Sequence, residues 1–144
     1  MWRWLPALLA SMWGAACLGC GGGRELARVS GKVTFNGKPV SGGSLTFSPQ
    51  GGSTEANPGK PAVGVVRDGN YSLGTFAESD GAFVGKHTVS YSAPLLDYPP
   101  GIQPKPGSPP PLSGYEGLVP RSVSVEVKPG ANQIDVELAP GGKS

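Results

Sequence analysis

In seven segments between Arg28 and Leu138, apolar and polar residues alternate with a period of two, and this pattern constrains the fold more than any other feature of the chain. In "RVSGKVTF" (28–35), valine, glycine and phenylalanine occupy one face, while charged and hydroxyl residues occupy the other. Six further segments repeat the alternation: "GSLTFSP", "PAVGVV", "YSLGTF", "KHTVSY", "SVSVEV" and "NQIDVEL". No segment of helical length shows a period of 3.6 residues. Because strands with one buried face belong to antiparallel sheets, the pattern predicts an all-β, seven-stranded antiparallel β-sandwich, with an open barrel of the same strand count as the alternative.

The alternation also predicts which side chains point into the core and where the chain turns. Val63 and Val65 are expected to point inward in the third strand, and Asp135 and Glu137 outward in the last. The inward residues of the last two strands are expected to be Val123, Val125, Val127, Ile134, Val136 and Leu138. Asn36-Gly37 favours a type I′ hairpin turn, because both central residues of that turn need a positive φ.

The first 19 residues are typical of a secretory signal. Arg3 precedes a run of apolar and small residues from Leu5 to Gly19, and the segment holds no acidic residue. About 15 apolar positions are too few to span a bilayer, which needs roughly 20, but they suit the hydrophobic region of a signal. We therefore predict a signal peptide over residues 1–19, with an uncleaved N-terminal membrane anchor as the alternative.

Both cysteines of the chain follow this run, in "CLGCGGG" (17–23). A redox pair would need the cysteines to open a helix of a βαβ unit, and a structural zinc site would need four Cys or His ligands. The sequence offers neither context. Leu18-Gly19-Cys20 resembles the lipobox of bacterial lipoprotein signals, although Cys17 stands where that motif prefers leucine. The resemblance implies cleavage before Cys20, a diacylglycerol on its sulfur, and an acyl chain such as palmitate on the new amine.

This resemblance also implies where the protein is located and how the chain is divided. The protein would be exported across the inner membrane and anchored in the cell envelope, and Gly21 in place of aspartate agrees with sorting to the outer membrane. We expect residues 20–27 to form a lipidated cysteine and glycine-rich tether, 28–140 the β-sandwich, and 141–144 a tail. No cofactor is expected besides the covalent lipid on Cys20.

Three motifs within the strands resemble the carboxypeptidase regulatory-like, transthyretin-like domain. They are Gly37-Lys38-Pro39-Val40, Asp68-Gly69-Asn70-Tyr71-Ser72-Leu73 and Gly85-Lys86-His87-Thr88-Val89. The resemblance covers residues 28–92 and continues loosely to Leu138. With the lipobox, it makes the chain similar to short predicted lipoproteins of planctomycete bacteria. It implies a transthyretin-like or immunoglobulin-like sandwich used as an accessory or surface module. It does not imply a catalytic activity.

The sequence contains no recognisable catalytic set. His87 is the single histidine, so a carboxypeptidase zinc site, which needs more than one, cannot be built. A serine triad needs a base positioned beside its nucleophile, and the sequence contains no Gly-x-Ser-x-Gly elbow that would present such a serine. We expect His87 to be a partly buried, hydrogen-bonded residue, and we expect no enzyme activity and no metal, with an uncharacterised hydrolase as an alternative. Four oxygen-bearing residues could hold a weak calcium ion, although Asx turns explain them equally: Asp68, Asn70, Glu78 and Asp80. A net charge of +2 without a basic stripe argues against nucleic-acid binding.

Residues 94–120 form a proline-rich loop that the fold explains least. Nine of the sixteen prolines lie in it, and loops beyond about 15 residues are often functional or disordered. Its polyproline II tendency offers a low-entropy strip for a partner groove, while a strap packed over a sheet edge or a variable insertion is the alternative. Tyr98 and Tyr115 are the candidate partner-binding residues.

The function predicted from these features is non-catalytic. We expect a cell-envelope lipoprotein whose β-sandwich binds or supports another component at the membrane surface. The expected partners are the membrane, through the lipid anchor, and an envelope protein or a glycan. The alternative is a carbohydrate-binding module that would use Tyr98 and Tyr115 as its aromatic platform.

Overall fold

The computed structural model describes residues 25–51 and 59–142. The predicted signal peptide, Cys20, residues 20–24 of the predicted tether and residues 143–144 of the tail lie outside the described residues. Within the described ranges the chain forms strands and no helix, which confirms the predicted all-β class. These ranges accordingly contain no helix long and apolar enough to cross a membrane.

The described ranges hold seven strands that carry the alternating segments and four short ones. In chain order they are β1 (Leu26–Phe35), β2 (Lys38–Pro39), β3 (Ser44–Pro49), β4 (Ala62–Val65), β5 (Asn70–Ser72), β6 (Ala82–Phe83), β7 (Gly85–Ser92), β8 (Leu118–Pro120), β9 (Ser124–Val127), β10 (Ala131–Gln133) and β11 (Val136–Pro140). The short strands β2, β6, β8 and β10 are two or three residues long. They form because their backbones pair with β1 or β11. Alternation did not reveal β2, β6 and β8, while β10 belongs to the predicted last strand, which the structure divides into β10 and β11.

The strands form two sheets around one core, as the predicted β-sandwich requires. In the first sheet β1 is central: β2, β5 and β6 pair antiparallel with it, and β10 and β11 pair parallel with it. The second sheet is antiparallel throughout, in the order β4-β3-β7-β9. The largest fully buried side chains are Phe47, Leu45, Leu73, Leu138, His87, Val29, Val33, Val40, Val66 and Val127.

The parallel pairing of β1 differs from the wholly antiparallel arrangement expected from the sequence. Ser30 lies beside Gln133, and Val33 lies beside Val136. The chain leaves the second sheet after Val127 and enters the first sheet in the same direction as β1. Alternation reports which face of a strand is buried but carries no information about strand direction, so this feature could not be read from the pattern.

The sequence prediction for β4 was wrong about its buried face. Val63 and Val65 are exposed, while Ala62, Gly64 and Val66 are buried. Leu45 of β3 lies opposite Gly64, and a β-carbon on Gly64 would lie 3.0 Å from the Leu73 Cδ2 atom. The large side chains of neighbouring strands therefore already fill this part of the core, and only small residues of β4 fit against them.

The last two strands follow their predicted pattern in part. Val127, Val136 and Leu138 are buried, and Val125 and Ile134 are half-buried. Val123 is exposed, contrary to the prediction, because it precedes β9 and lies outside the regular alternation of that strand. The predicted type I′ turn is supported by its backbone, since Asn36 and Gly37 have φ values of 51° and 76°.

Strand β1 defines two ends of the sandwich. At its start, the Glu25 carbonyl accepts a hydrogen bond from the Val84 N–H at 2.9 Å, and we call this the tether end. At its finish, Phe35 lies beside Leu138, and β11 in turn pairs with β8. The ten residues of β1 span about 30 Å at roughly 3.3 Å per residue. The predicted tether and the proline-rich loop therefore meet the domain at opposite ends.

Candidate functional site

The segment between β7 and β8, residues 93–117, forms a strap at the end of the sandwich away from the tether. It leaves β7 beside Gly42, where a β-carbon would lie 3.3 Å from the Pro94 Cγ atom. Its most exposed apolar side chains are aliphatic: Leu95 is 86% exposed, Leu112 is 78% exposed and Ile102 is 56% exposed. The strap thus presents a set of uncovered aliphatic groups around its prolines.

Two tyrosine side chains tie the strap to itself and to the sandwich. The Tyr98 hydroxyl donates a hydrogen bond to the Pro109 carbonyl, which closes the outer part of the strap. The Tyr115 ring packs against the core, and its hydroxyl accepts a hydrogen bond from the Ser41 N–H at 3.4 Å and shares another with the Ser41 hydroxyl at 3.3 Å. These bonds with Ser41 lower the pKa of Tyr115.

The Glu116 carboxylate closes the tight turn that precedes β8. It accepts hydrogen bonds from the Ser113 N–H at 2.6 Å, the Ser113 hydroxyl at 2.7 Å and the Gly114 N–H at 2.9 Å. These donors stabilise the ionised form, and the Ser113 N–H contributes most, so the pKa of Glu116 falls to about 2. The end of the strap is therefore held by a charge-assisted network at neutral pH.

The two predicted partner-binding residues occupy different positions in the strap. Tyr98 and Tyr115 are both half-buried, and their hydroxyls are engaged by the contacts above. Within the described residues, no hydrogen bond or ring contact joins Tyr98 to Tyr115. Sequence reasoning did not single out Leu112, and its signal was a lone leucine between a run of prolines and the Ser-Gly that opens the turn.

A second surface feature is a cleft of about 570 Å³ at the edge of the second sheet. It opens where the hairpin of β4 and β5 splays apart: bridges join Val63 to Gly74 and Arg67 to Asn70. Among the described residues no hydrogen bond joins Val65 to Ser72 between those bridges. The cleft is lined by Val63, Val65, Arg67, Asn70, Tyr71, Ser72, Gly74, Thr75, Phe76, Ala77, Glu78 and Ser79.

The loop that closes one side of this cleft is capped by Asp80. Its carboxylate accepts hydrogen bonds from the N–H groups of Thr75, Phe76 and Ala77 at 2.6, 3.1 and 3.0 Å. These bonds, that of Thr75 first, hold the pKa of Asp80 below its usual range. The carboxylate thus acts as a turn cap, as the Asx alternative to calcium binding expects. The described residues contain no group of three His, Cys, Asp or Glu side chains that could hold a metal ion.

His87 lies in the core and faces neither the cleft nor the strap. It is 1% exposed, and its Nε2 atom lies 2.6 Å from the Phe83 carbonyl oxygen. Because a carbonyl only accepts, Nε2 carries the proton, and the buried Nδ1 has no hydrogen-bond partner among the described residues. The predicted hydrogen bond is present, and the imidazole is buried more completely than the partial burial expected from the sequence.

Comparisons with known proteins add little to these observations. No protein-family model matches the chain, and no curated protein matches it. Among solved structures, the chain is similar to a DUF3823 family protein from Parabacteroides merdae, with 17% sequence identity and a TM-score of 0.45. The alignment covers 82% of this chain and 48% of that protein, so the chain spans about half the length of its structural neighbour.

Proposed function

We propose that this protein is a non-catalytic cell-envelope lipoprotein, anchored through Cys20, whose β-sandwich presents the strap to another envelope protein. The observation that carries the proposal is the strap itself: its aliphatic side chains are uncovered, and hydrogen bonds hold its backbone in place. An exposed apolar patch on a soluble domain marks an interaction site more often than chance. The family resemblance to transthyretin-like surface modules supports the same role.

The position of the strap favours a partner on the side of the sandwich that faces away from the anchoring membrane. The strap lies about 30 Å along β1 from the tether end. With Cys20 in the lipid, the tether end would be nearest the membrane, and Leu112 and Ile102 would face outward. A lipid anchor at one end and a binding strip at the other would suit a module that recruits a partner to the envelope surface.

The construction of the strap favours protein binding over glycan binding. Proline fixes φ and lowers the entropy that an extended segment loses on binding, and the ties of Tyr98 and Tyr115 restrict it further. A glycan platform needs an open aromatic ring, and both rings are half-buried. The aliphatic groups of Leu95, Ile102 and Leu112 suit an apolar groove on a protein.

The lipid anchor is tested by the intact mass of the mature protein, measured beside a Cys20→Ala variant. We expect a chain that begins at Cys20 and carries acyl groups, and we expect both processing and acylation to be lost in the variant. A cleaved chain without lipid would make the protein a secreted one, and an uncleaved chain with both thiols would overturn the proposed anchor.

Partner binding is tested by placing a photocrosslinking amino acid at position 112 and, as a matched control, at position 90 of the exposed sheet face. In cells of the source bacterium, we expect position 112 to capture one identified envelope protein repeatedly, and position 90 to capture none. Leu95→Ser should reduce that capture without changing the unfolding midpoint, because Leu95 makes almost no contact with the core. Equal capture at both positions, or capture unaffected by Leu95→Ser, would contradict the proposal.

A further inference from the structure

A small apolar surface at the tether end belongs neither to the strap nor to the buried core. Phe76 exposes 66% of its surface, and its ring lies 6.0 Å from the Phe83 ring in an edge-to-face arrangement. The Lys60 ammonium lies 5.3 Å from the centre of the Phe76 ring. On the first sheet Phe83 pairs with Leu26. We call these four residues, Leu26, Lys60, Phe76 and Phe83, the corner.

We propose that the corner rests on the phospholipid surface into which the lipid on Cys20 inserts. This inference rests on the lipid anchor of the proposed function, and it adds a second, non-covalent contact between protein and membrane. The contact orients the sandwich so that the strap points away from the bilayer.

The corner is the part of the domain that the anchor reaches first. Leu26 opens β1, and only five residues separate it from Cys20. Six extended residue steps span at most about 20 Å, which is shorter than the roughly 30 Å length of β1. The Val84 N–H to Glu25 carbonyl bond places the start of the domain directly beside Phe83. A lipid on Cys20 would therefore hold the start of β1 within about 20 Å of the headgroups, nearer than the far end of the strand can be held.

Phe76 is fixed in its outward position. The Asp80 carboxylate binds the N–H groups of Thr75, Phe76 and Ala77, and Ser79 adopts a positive φ of 58° to close the loop. The Thr75 hydroxyl also donates to the Gly81 carbonyl at 2.7 Å, inside the domain. The loop backbone is thus held at several points, and the phenylalanine ring extends from a rigid support.

The side chains of the corner match the chemistry of the membrane interface. A phenylalanine ring gains free energy when it enters the boundary between headgroups and acyl chains, and a lysine stem lies along apolar surface while its ammonium reaches phosphate. Val63 continues the apolar surface along the cleft that Phe76 also lines. Glu78 lines the same cleft as Phe76, and Glu25 directly precedes Leu26, so Lys60 gives this end of the domain no excess of positive charge. Apolar contact therefore dominates, and the interaction should change little with salt.

The test uses a single tryptophan as a depth probe. The three tryptophans, Trp2, Trp4 and Trp13, all precede Cys20, so the mature chain contains none and Phe76→Trp introduces the only one. The lipidated variant is placed in vesicles of phosphatidylethanolamine and phosphatidylglycerol with brominated acyl chains. We expect blue-shifted emission and at least twofold quenching. Leu112→Trp, the matched control on the strap, should show unshifted and unquenched emission.

Three results would overturn the inference. The first is quenching of the probe at position 112 with none at position 76, which would reverse the orientation. The second is no quenching at either position. The third is a blue shift at position 76 that depends on protein density and not on bromine, which would identify a second copy of the chain as the occupant. If Phe76→Trp alters the circular dichroism spectrum, Glu78→Trp on the exposed side of the same loop replaces it.

A second preparation separates this inference from the anchor itself. A chain that begins at Cys20 holds a single thiol, because Cys17 precedes it, and that thiol can be coupled to a maleimide phospholipid in the same vesicles. If the bacterial product carries no lipid, the proposed function fails, while the coupled chain still reports on the corner. Quenching of the probe at position 76 in the coupled chain would support the contact, and its absence would overturn it.

Discussion

The Tyr71 hydroxyl donates a hydrogen bond to the Ile134 carbonyl, and the ring passes over Gly31 of β1 to reach it. A β-carbon on Gly31 would lie 2.0 Å from the Ile134 oxygen and 3.1 Å from the Tyr71 ring. This contact joins β5 to the segment between β10 and β11 on opposite sides of β1. It therefore ties β5, in the middle of the chain, to the last two strands across β1.

Loss of this hydrogen bond should destabilise the domain measurably. We expect Tyr71→Phe to lower the free energy of unfolding by about 0.5–1.5 kcal/mol, the usual net value of one hydrogen bond. Gly31→Ala should lower it by more, because its methyl group has no space beside the Ile134 carbonyl. Urea unfolding measures both, with the exposed Ser72→Ala as control. A smaller effect for Gly31→Ala than for Tyr71→Phe would contradict the described packing.

The buried face of β4 is tested by two adjacent valines, Val65 at the end of the strand and Val66 directly after it. Val66 is 1% exposed and Val65 is 56% exposed. Val66→Ala should lower the free energy of unfolding by about 1–3 kcal/mol, because it empties part of the core. Val65→Ala should change it by less than about 0.5 kcal/mol. Urea unfolding of the two variants compares them directly, and the reverse order would restore the inward Val65 that the sequence pattern suggests.

His87 is expected to stabilise the fold. His87→Ala should lower the free energy of unfolding by about 2–4 kcal/mol, since it leaves a cavity and an unpaired Phe83 carbonyl. Lys86→Ala, its exposed neighbour in β7, is the matched control. Chemical unfolding monitored by circular dichroism gives both values. A loss below about 1 kcal/mol would be inconsistent with a core position.

Acid should loosen the end of the strap only at very low pH. The folded-state pKa of Glu116 is about 2, below its ordinary value of 4.5. Its stabilising bonds are therefore fully present above about pH 4.5 and are lost as the pH falls through about 2. Carboxyl NMR titration should give a midpoint near 2, with the Ser113 and Gly114 amides moving at the same pH. Ser113→Ala should raise the midpoint, and Ser108→Ala should leave it unchanged. An unchanged midpoint in Ser113→Ala would contradict the role of its hydroxyl.

The tyrosines should ionise at different pH values as the solution is made alkaline. Burial, with smaller contributions from Tyr115 and Glu116, raises the pKa of Tyr91 to about 12, and burial raises that of Tyr71 further. The unfolded chain ionises its tyrosines near pH 10, so the stability they contribute is complete below pH 10 and is lost as the pH rises through about 12. Absorbance at about 295 nm, where tyrosinate absorbs, should show Tyr115 ionising before these two. Tyr91→Phe should remove part of the late phase, and an unchanged late phase would contradict the burial of Tyr91.

The sequence determined the local features of the fold, because each depends on residues close together in the chain. Period-two alternation located the seven main strands, and Asn36-Gly37 located a turn with two positive φ values. The single histidine on an apolar face indicated a partly buried, hydrogen-bonded side chain, and the structure buries His87 fully. These patterns sufficed because side-chain alternation and turn geometry are properties of a few consecutive residues.

Only the tertiary structure decided the features that depend on neighbours distant in sequence. Both faces of β4 consist of apolar or small residues, so the choice between Val65 and Val66 was made by the space that Leu45 and Leu73 leave. The parallel pairing of β11 with β1 depends on the route that the chain takes from one sheet to the other. The short strands β2, β6 and β8 form through backbone pairing and leave no side-chain pattern. The candidate surfaces belong to the same class: the strap is shaped by the contact of Tyr115 with Ser41, and the corner exists because Phe76 meets Phe83 next to the start of β1.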